Sequence, residues 1–363
     1  MITYREYSYI GEEALLESIW NSLYCDKRNS FFLSWCWIGT WLTTLPKAIK
    51  MKFIVGYRDD LAVIVFLKGE TNKKIFYFPF IKYMSINTSG DFRFDNVMLE
   101  YNAFLSIENE SITMPELINA NVFENADIVS LPGFVEPPKS LSLLKADDFF
   151  IEKQRHPSFY VDLDRVNKSD QGYLGLLSSD RRRQLKRSIK LIGMQGDIKI
   201  QRAVGLSVVL DMYGKMLKLH QLSWNVRGKS GAFENPFSEK FHRKLLSKTT
   251  NKDVCIFQIS AGNIDIGYIY GFMSQGRFLY YQSGFKVFSD NKIKSGMSCH
   301  ALLIDYMSTI GVTRYDFLSG GGQYKESLST GKEYLSWVRI YRKKWSTAIL
   351  LHSRKMRRLR DRF

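Results

Sequence analysis

Apolar residues recur at helical spacing from Ala14 to Leu23 and again, more densely, from Phe31 to Leu42, where Pro46 closes the run. Both stretches predict helices, and the three tryptophans of the second, Trp35, Trp37 and Trp41, are expected in the core. The pattern then switches to strands. Lys52 to Gly56 and Leu61 to Lys68 predict a hairpin turning at Asp59-Asp60, and Lys74 to Phe80 predicts a third strand ending at Pro79. Helix followed by an antiparallel meander is an α+β signature.

The same figure returns later. Lys240 to Ser247 reads as a helix, Val254 to Ser260 and Asp265 to Met273 as a hairpin around Gly262-Asn263, and Arg277 to Phe285 as the next strand. A shift of 203 residues lays Asp59 on Gly262, Val65 on Tyr268, Lys74 on Arg277 and Tyr77 on Tyr280 without a gap. Pairwise identity is slight, but the pattern and turns agree, which predicts two copies of one fold; the alternative is two unrelated hairpins. The Pro-rich stretch Ile128 to Pro138, a strand from Ser158 to Leu163 and a turn at Lys168 to Gly172 place the boundary near 150–170. The expected domains are 1–155 and 156–363.

Beyond Arg277 the pattern runs strand, basic loop, helix, strand, Gly-rich turn. The helix begins near Gly296 and carries His300, Leu302, Leu303, Tyr306 and Met307; the strand Thr313 to Leu318 stops at Ser319-Gly-Gly-Gly322, with Tyr324 and Lys325 next.

Length and charge then narrow the partners. A chain of 363 residues fits two domains, and no apolar run reaches the ~18 residues of a membrane span. Met1 to Glu6 opens without the apolar core of a signal peptide, so a cytoplasmic protein is expected. Cys25, Cys36, Cys255 and Cys299 form no CxxC pair and the five histidines no ligand spacing, so no metal cofactor is expected. The net charge of +16 is split: residues 1–150 carry 14 basic and 19 acidic side chains, residues 151–363 carry 38 and 17. A positive field confined to the second half favours phosphate-bearing partners: coenzymes, sugar nucleotides, RNA or anionic lipid; the alternative is solubility alone.

Four constellations could carry chemistry. Ser179 to Leu191 is a capped helix with five basic residues between 181 and 187, of which one or two, such as Arg182, could hold a phosphate bidentately; the alternative is a solvated basic face over buried Leu185, Ile189 and Ile192. His220 ends the helix that starts near Leu206, either as a structural hydrogen-bonder or as a base. The loop Ser289 to Gly296 sets backbone amides at a helix N-terminus beside Lys292 and Lys294, a recipe for pyrophosphate, although Ile293 stands where a short phosphate motif has a polar residue. Asp316 alternates with Tyr315 and Phe317 on a core strand, where a carboxylate needs a partner or a task.

Taken in order, Arg182 to Leu191, His220 to Trp224, Tyr280-Tyr-Gln-Ser-Gly284, Ser295-Gly296, Tyr315 to Gly320 and Tyr324-Lys325 resemble the acetyltransferase-type domain of the CelD/BcsL group, within the GNAT superfamily. The resemblance covers roughly 150–330. The first half is similar to the degenerate partner domain of tandem-GNAT proteins, to which Fem-type aminoacyl transferases are structurally similar. The resemblance implies two GNAT-like domains, each a mixed, mostly antiparallel sheet flanked by helices, with splayed strands in the second, which ends in a basic helix.

It also implies acyl transfer from a coenzyme A thioester to an amine. Pantetheine would run between Arg277–Phe285 and Thr313–Leu318, with pyrophosphate on Lys292, Lys294, Ser295 and Gly296. An amide near Gln282, Ser283 and Gly284 would polarise the thioester, and Tyr324 would reprotonate the thiolate. His220 or Asp316 is the expected base, and Arg182, Trp224, Tyr281 and Lys325 are expected to hold the acceptor. Two departures bear on the acceptor: Ser223 stands where the group has an Arg, and Glu326 to Thr330 lacks the group's Trp. The expected function is acyl-CoA-dependent N-acylation of an amino sugar, nucleotide-linked, for surface polysaccharide. The alternatives are Fem-like transfer from aminoacyl-tRNA to a peptidoglycan precursor, and a non-enzymatic scaffold that binds anionic lipid or RNA through the tail Arg354 to Arg362.

Overall fold

The structure, a computed structural model, describes residues 2–75, 78–97, 99–108, 113–135, 139–226, 228, 233, 235–248, 253–320 and 322–351. Its strands are β1 (Thr3–Ser8), β2 (Met51–Arg58), β3 (Leu61–Ile75), β4 (Phe78–Ile86), β5 (Leu105–Ser106), β6 (Ile128–Phe134), β7 (Phe149–Asp162), β8 (Ile198–Arg202), β9 (Val254–Ala261), β10 (Ile264–Ser274), β11 (Arg277–Phe285), β12 (Arg314–Ser319) and β13 (Gly331–Arg342). Its helices are α1 (Glu13–Leu23), α2 (Trp35–Leu42), α3 (Phe92–Asp95), α4 (Met114–Asn119), α5 (Leu163–Asn167), α6 (Gly172–Gly175), α7 (Ser179–Gly193), α8 (Leu206–Asn225), α9 (Pro236–Lys248), α10 (Ser295–Thr309) and α11 (Gln323–Leu328).

The chain divides into two units. Unit 1 takes Met1–Cys25, Phe32–Arg155 and the chain from Leu335 on; unit 2 takes Asp26–Phe31 and His156–Tyr334. In unit 1 the strand order is β1-β2-β3-β4-β6-β13, antiparallel except for β4 with β6, and β5 adds to β3. In unit 2 the order is β8-β9-β10-β11-β12-β7, antiparallel except for β11 with β12. Both units thus follow one plan: four antiparallel strands, a parallel step, and an antiparallel closing strand. This is the twice-repeated, mixed α+β fold that the hydrophobic pattern predicted.

The hairpins explain why the repeat was legible. Asp59 and Asp60 both adopt left-handed backbones, with φ of 49° and 62°, as a two-residue turn between twisted strands requires and as a short polar side chain tolerates. Gly262, at φ 56°, turns the second hairpin. The shift of 203 residues carries β2 onto β9 residue for residue. It also carries the start of β3 onto the start of β10 and fails at the third strand. β3 continues to Ile75, and the third strand is Phe78–Ile86 with Pro79 at its second position, where a missing N–H is tolerated.

Two expectations are corrected. The second domain does not run to 363: Ser336–Tyr341 of β13 pair antiparallel with β6, and Val338 and Ile340 enter the unit 1 core beside Ile54, Phe66 and Leu131. The closing strand of unit 2 is instead Ser158–Asp162 of β7. The second predicted helix begins later than expected, since Phe31–Leu33 form a 3-10 turn and Ser34 accepts from the Trp37 amide to cap α2. Trp37 and Trp41 are buried as predicted, whereas Trp35 is only half-buried. Residues 345–351 are helical, and the basic tail Arg354 to Arg362 lies outside the described residues. Among the described residues no helix is long and apolar enough to cross a membrane.

In unit 2 the core gathers Phe257, Phe278 and Tyr315 from the sheet with Leu303, Ile304 and Met307 from α10 and Leu185 and Ile192 from α7. That packing fixes α7 and α10 against each other and against β11 and β12. Helix α8 packs on β10 and β11 as well.

Candidate functional site

β11 and β12 pair in parallel over only three positions, Arg277 with Arg314, Phe278 with Tyr315 and Leu279 with Asp316. From Tyr280 to Phe285 no β12 residue pairs with β11, so the two strands part there. A bulge marks the same point. Tyr270 pairs with Gln282 and Gly271 with Tyr280, leaving Tyr281 opposite no residue of β10. Gly271 is required at the bulge, because a Cβ there would lie 2.4 Å from the Leu279 carbonyl oxygen. Tyr281 turns toward His242, Tyr270 and Phe272, whose rings lie 4.9, 5.8 and 5.4 Å away.

On the α8 side, backbone meets backbone at Gly284. A Cβ on Gly284 would lie 2.1 Å from the Met216 carbonyl oxygen and 2.9 Å from the His220 amide nitrogen, so this glycine sets the distance between α8 and β11. The close approach lets His220 Nδ1 donate to the Ser283 carbonyl at 2.8 Å. A carbonyl only accepts, so the proton sits on Nδ1 and Nε2 is the basic nitrogen. Trp224 lies one turn on, its ring 5.8 Å from that of His220, and Phe233 meets the imidazole edge-on at 5.3 Å.

On the α10 side, Ser283 Oγ and Tyr280 Oη are 2.7 Å apart, and the Tyr280 hydroxyl also bonds Tyr324. Burial first, and these hydrogen bonds against it, leave the Tyr280 phenol above its ordinary pKa. Tyr324 stacks on His300, ring centres 5.9 Å apart, and meets Phe317 edge-on. His300 is buried; its Nδ1 lies 2.8 Å from Tyr315 Oη, while Nε2 has no hydrogen-bond partner among the described residues. Burial, and then the charge of Lys325, push this imidazole down to about 3, so it is neutral. Ser283, Tyr280 and Tyr324 therefore form a chain of hydroxyls beside a neutral imidazole.

The structure reassigns three of the predicted residues. Asp316 has no exposed surface: Oδ1 accepts from Ser158 Oγ at 3.3 Å and the Leu318 amide at 2.8 Å, and Oδ2 lies 3.4 Å from Arg314 Nε. Leu318 adopts φ 59°, strained for a branched side chain, and Asp316 holds it there. Its carboxylate braces the turn that carries Tyr324, with both oxygens engaged, and is no proton acceptor for a substrate. Lys325 Nζ donates to the Leu318 and Ser319 carbonyls at 3.3 and 2.9 Å, clamping that turn rather than reaching an acceptor. The Arg182 guanidinium is consumed by the Leu174, Gly175 and Leu177 carbonyls at 3.0 to 3.1 Å, which closes the end of α6.

The other basic residues of α7 do converge. Arg181, Arg183 and Arg187 face Asn291, Lys292 and Lys294 across a groove of about 960 Å³ that also touches Ser178, Gln184 and Ser327. Ser188 ties the walls together: its Oγ accepts from the Lys294 amide at 2.8 Å and lies 2.7 Å from Ser298 Oγ. No side chain caps the first turn of α10, so its amides point out beside the lysines. Ser295 Oγ donates to the Lys286 carbonyl at 2.7 Å and closes the loop, and the Phe285 ring lies against Gly296, where a Cβ would come within 3.0 Å of it. Arg183 pairs with exposed Asp180 at 2.7 Å; Arg187, Lys292 and Lys294 have no ion-pair partner among the described residues.

Sequence reasoning put the basic residues of 181–187 forward together but singled out Arg182 instead of Arg183 or Arg187, and it gave no site role to Ser188, Tyr280 or His300. The signal for the arginines was present: Asp180, Arg183, Gln184 and Arg187 recur at helical spacing opposite buried Leu185, Ser188 and Ile192. Among the described residues no group of three or more His, Cys, Asp or Glu is placed to hold a metal.

Residues 179–326, from α7 to α11, match the acetyltransferase (GNAT) domain family. No curated protein sequence matches the chain. Among solved structures the chain is similar to a crystal structure of FemX, with a TM-score of 0.56 at 12% identity over 89% of this chain and 95% of that one. It is similar to a conserved protein of unknown function from Bacteroides thetaiotaomicron, with a TM-score of 0.52 at 11% identity over 94% and 100% of the two chains. It is also similar to L-PGS from Bacillus licheniformis, with a TM-score of 0.51 at 12% identity over 94% and 96%. At these identities the likeness is one of fold. One strand plan is used twice, a GNAT acetyltransferase domain spans the splayed strands of unit 2 at residues 179–326, and the chain is similar in fold to FemX.

Proposed function

We propose that the protein is an acyl-CoA-dependent N-acyltransferase whose acceptor is the amine of a nucleotide-linked amino sugar, destined for a surface polysaccharide such as lipopolysaccharide or capsule. The observation that carries this reading is the cationic groove joining α7 to the uncapped start of α10. Five cationic side chains face this groove against two acidic ones, Asp180 and Glu326, and the like charges repel one another until a bound polyanion relieves that repulsion. Lys292, Lys294 and the amides of Ser295 and Gly296 would hold the pyrophosphate of the donor. Its pantetheine would follow the stretch of β11 from Tyr280 to Phe285, which no β12 residue pairs.

The chemistry follows from the residues beside that stretch. The acceptor nitrogen attacks the thioester carbonyl carbon, a C–N bond forms, and the carbonyl oxygen takes up negative charge. A backbone N–H near the bulge, at Gln282 to Gly284, would stabilise that charge. His220 Nε2, left as the acceptor nitrogen by the Nδ1 bond to the Ser283 carbonyl, takes the proton that the amine sheds. As the C–S bond breaks, Tyr324 protonates the departing thiolate, and the Tyr280–Ser283 hydroxyls orient its phenol. Trp224 and Tyr281, on the α8 side of the bulge, would face the acceptor. A cytoplasmic site suits both substrates.

The test pairs short-chain acyl-CoAs with nucleotide amino sugars and follows release of free thiol. Release with a matched pair is expected, and its absence with every pair sinks the proposal. A second reading, transfer from aminoacyl-tRNA to a peptidoglycan precursor, draws on the exposed Arg183 and the likeness in fold to FemX. Tight tRNA binding that falls steeply with salt would favour it.

A further inference from the structure

The groove is larger than one pyrophosphate needs. Its two walls carry separate sets of cations: Lys292 and Lys294 on the loop before α10, and Arg183 and Arg187 on α7. Arg183 and Arg187 stand one helical turn apart, about 6 Å, a spacing at which two guanidinium groups can grip one phosphate from both sides. Arg187 has no ion-pair partner among the described residues, and the bond from Arg183 to Asp180 is an exposed pair of the kind that yields readily to a stronger anion. The walls cannot slide apart freely, because Ser188, adjacent to Arg187, accepts from the Lys294 amide at 2.8 Å. Arg181 is held differently. Its guanidinium bonds Gln184 and meets Met297 Sδ at 3.5 Å, so it spans the walls instead of pointing along α7.

We infer that Arg183 and Arg187 form a second phosphate subsite that binds a phosphomonoester carried on the same ligand as the pyrophosphate. This rests on the acyl-CoA reading and sharpens it. The donor recognised is a 3′-phosphorylated adenosine diphosphate conjugate, and the α7 arginines select the ribose 3′-phosphate. A monoester bears close to two negative charges at neutral pH against one for each pyrophosphate oxygen pair, so the doubly cationic α7 wall suits it better than the loop does. Charge-assisted, bidentate bonds from two arginines correspond to roughly 10- to 100-fold in affinity.

The experiment is calorimetric binding to the full chain with CoA, dephospho-CoA and adenosine 3′,5′-bisphosphate. The unsubstituted protein is expected to bind CoA at least ~10-fold tighter than dephospho-CoA. The pair Arg183→Ala and Arg187→Ala should erase that preference by weakening CoA alone, whereas Lys292→Ala with Lys294→Ala should weaken both ligands together. Equal binding of CoA and dephospho-CoA by the unsubstituted protein overturns the subsite while leaving the donor reading intact. If none of the three ligands binds, the donor reading falls and the subsite falls with it. The comparison of ligands on the unsubstituted chain needs no variant, so a folding defect in the arginine variants does not blunt it.

Discussion

Gly284→Ala tests whether the spacing of α8 and β11 governs the site. A Cβ at this position would lie 2.1 Å from the Met216 carbonyl oxygen and 2.9 Å from the His220 amide. Ordinary contact for those atoms is about 3.4 Å or more, so α8 must retreat by on the order of 1 Å, and both opposing atoms are backbone with no rotamer to yield. Overpacking of this kind costs roughly 1–3 kcal/mol. For a chain of this size each kcal/mol corresponds to about 2–4 °C in Tm. The functional effect should be larger. The bond from His220 Nδ1 to the Ser283 carbonyl, now 2.8 Å, would pass beyond hydrogen-bond range, releasing both the tautomer and the ring orientation. A misplacement of ~1 Å at a reacting group lowers kcat by about 100-fold. Gly214→Ala is the control on the same helix: it lies in the interior of α8 with nothing near its would-be Cβ, so it should stabilise by roughly 0.5–1 kcal/mol and leave kcat alone. Thermal unfolding and thiol release on both variants decide the matter. Full activity and an unchanged Tm in Gly284→Ala would refute the argument from close approach.

Burial holds His242 and His300 down to about 3, against an ordinary 6.5, so their contribution to stability is complete above pH 6.5 and is lost as pH falls toward 3; it should reach several kcal/mol in total, and His300→Phe should flatten the acid limb of a denaturation series. Arg182→Ala removes bonds to three carbonyls at the end of α6 and should lower stability by about 1–3 kcal/mol while leaving CoA affinity unchanged, in contrast to Arg187→Ala; calorimetry and melting separate the two. Asp316→Ala removes the acceptor of the Leu318 amide and one of Arg314's carboxylate partners, Glu333 remaining, and should cost roughly 1–3 kcal/mol, read by urea titration, whereas a merely surface carboxylate would cost almost nothing. Tyr324→Phe should reduce kcat with little change in KM and shift the alkaline limb of the pH profile, since it removes the proton donor and keeps the ring packed on His300.

The repeat was legible because its signals are local. Alternation in β2, β3, β9 and β10 and the two-residue turns at Asp59-Asp60 and Gly262-Asn263 are written in neighbouring residues. The strand at Ser158 was legible but the sheets that the closing strands join were not, because Ser158–Asp162 and Ser336–Tyr341 find partners far away in sequence and nothing local states which of two equivalent sheets a strand will join. Among site residues, His220, Tyr324 and the loop lysines stood out by type and context. Arg182 misled because its neighbours along the chain are also basic, whereas its partners, the Leu174, Gly175 and Leu177 carbonyls, are backbone atoms and leave no mark in composition. Asp316 misled for the opposite reason. A carboxylate on a core strand does need a partner, and the partners, Arg314 and a strained amide two residues on, give it a structural task.

The groove of unit 2 follows from what lies across the parallel step. In unit 2, β11 and β12 are joined by a loop and the 15-residue helix α10, whose first-turn amides no side chain caps. In unit 1 the described residues between β4 and β6 hold α3, β5 and the six-residue α4. Thr113 and Glu116 form a complete capping box on α4, so the amides that could greet an anion are already bonded. Charge follows the same division, with the first 150 residues carrying 19 acidic against 14 basic side chains. A phosphate-bearing donor would therefore meet repulsion and satisfied amides on one copy and unpaired cations with open amides on the other. If the capping box is what closes unit 1 to anions, Thr113→Ala with Glu116→Ala should expose amides at the start of α4 yet create no measurable CoA site there, because the first 150 residues carry more acidic than basic side chains; gain of a second CoA equivalent in calorimetry would show that an open helix start alone suffices.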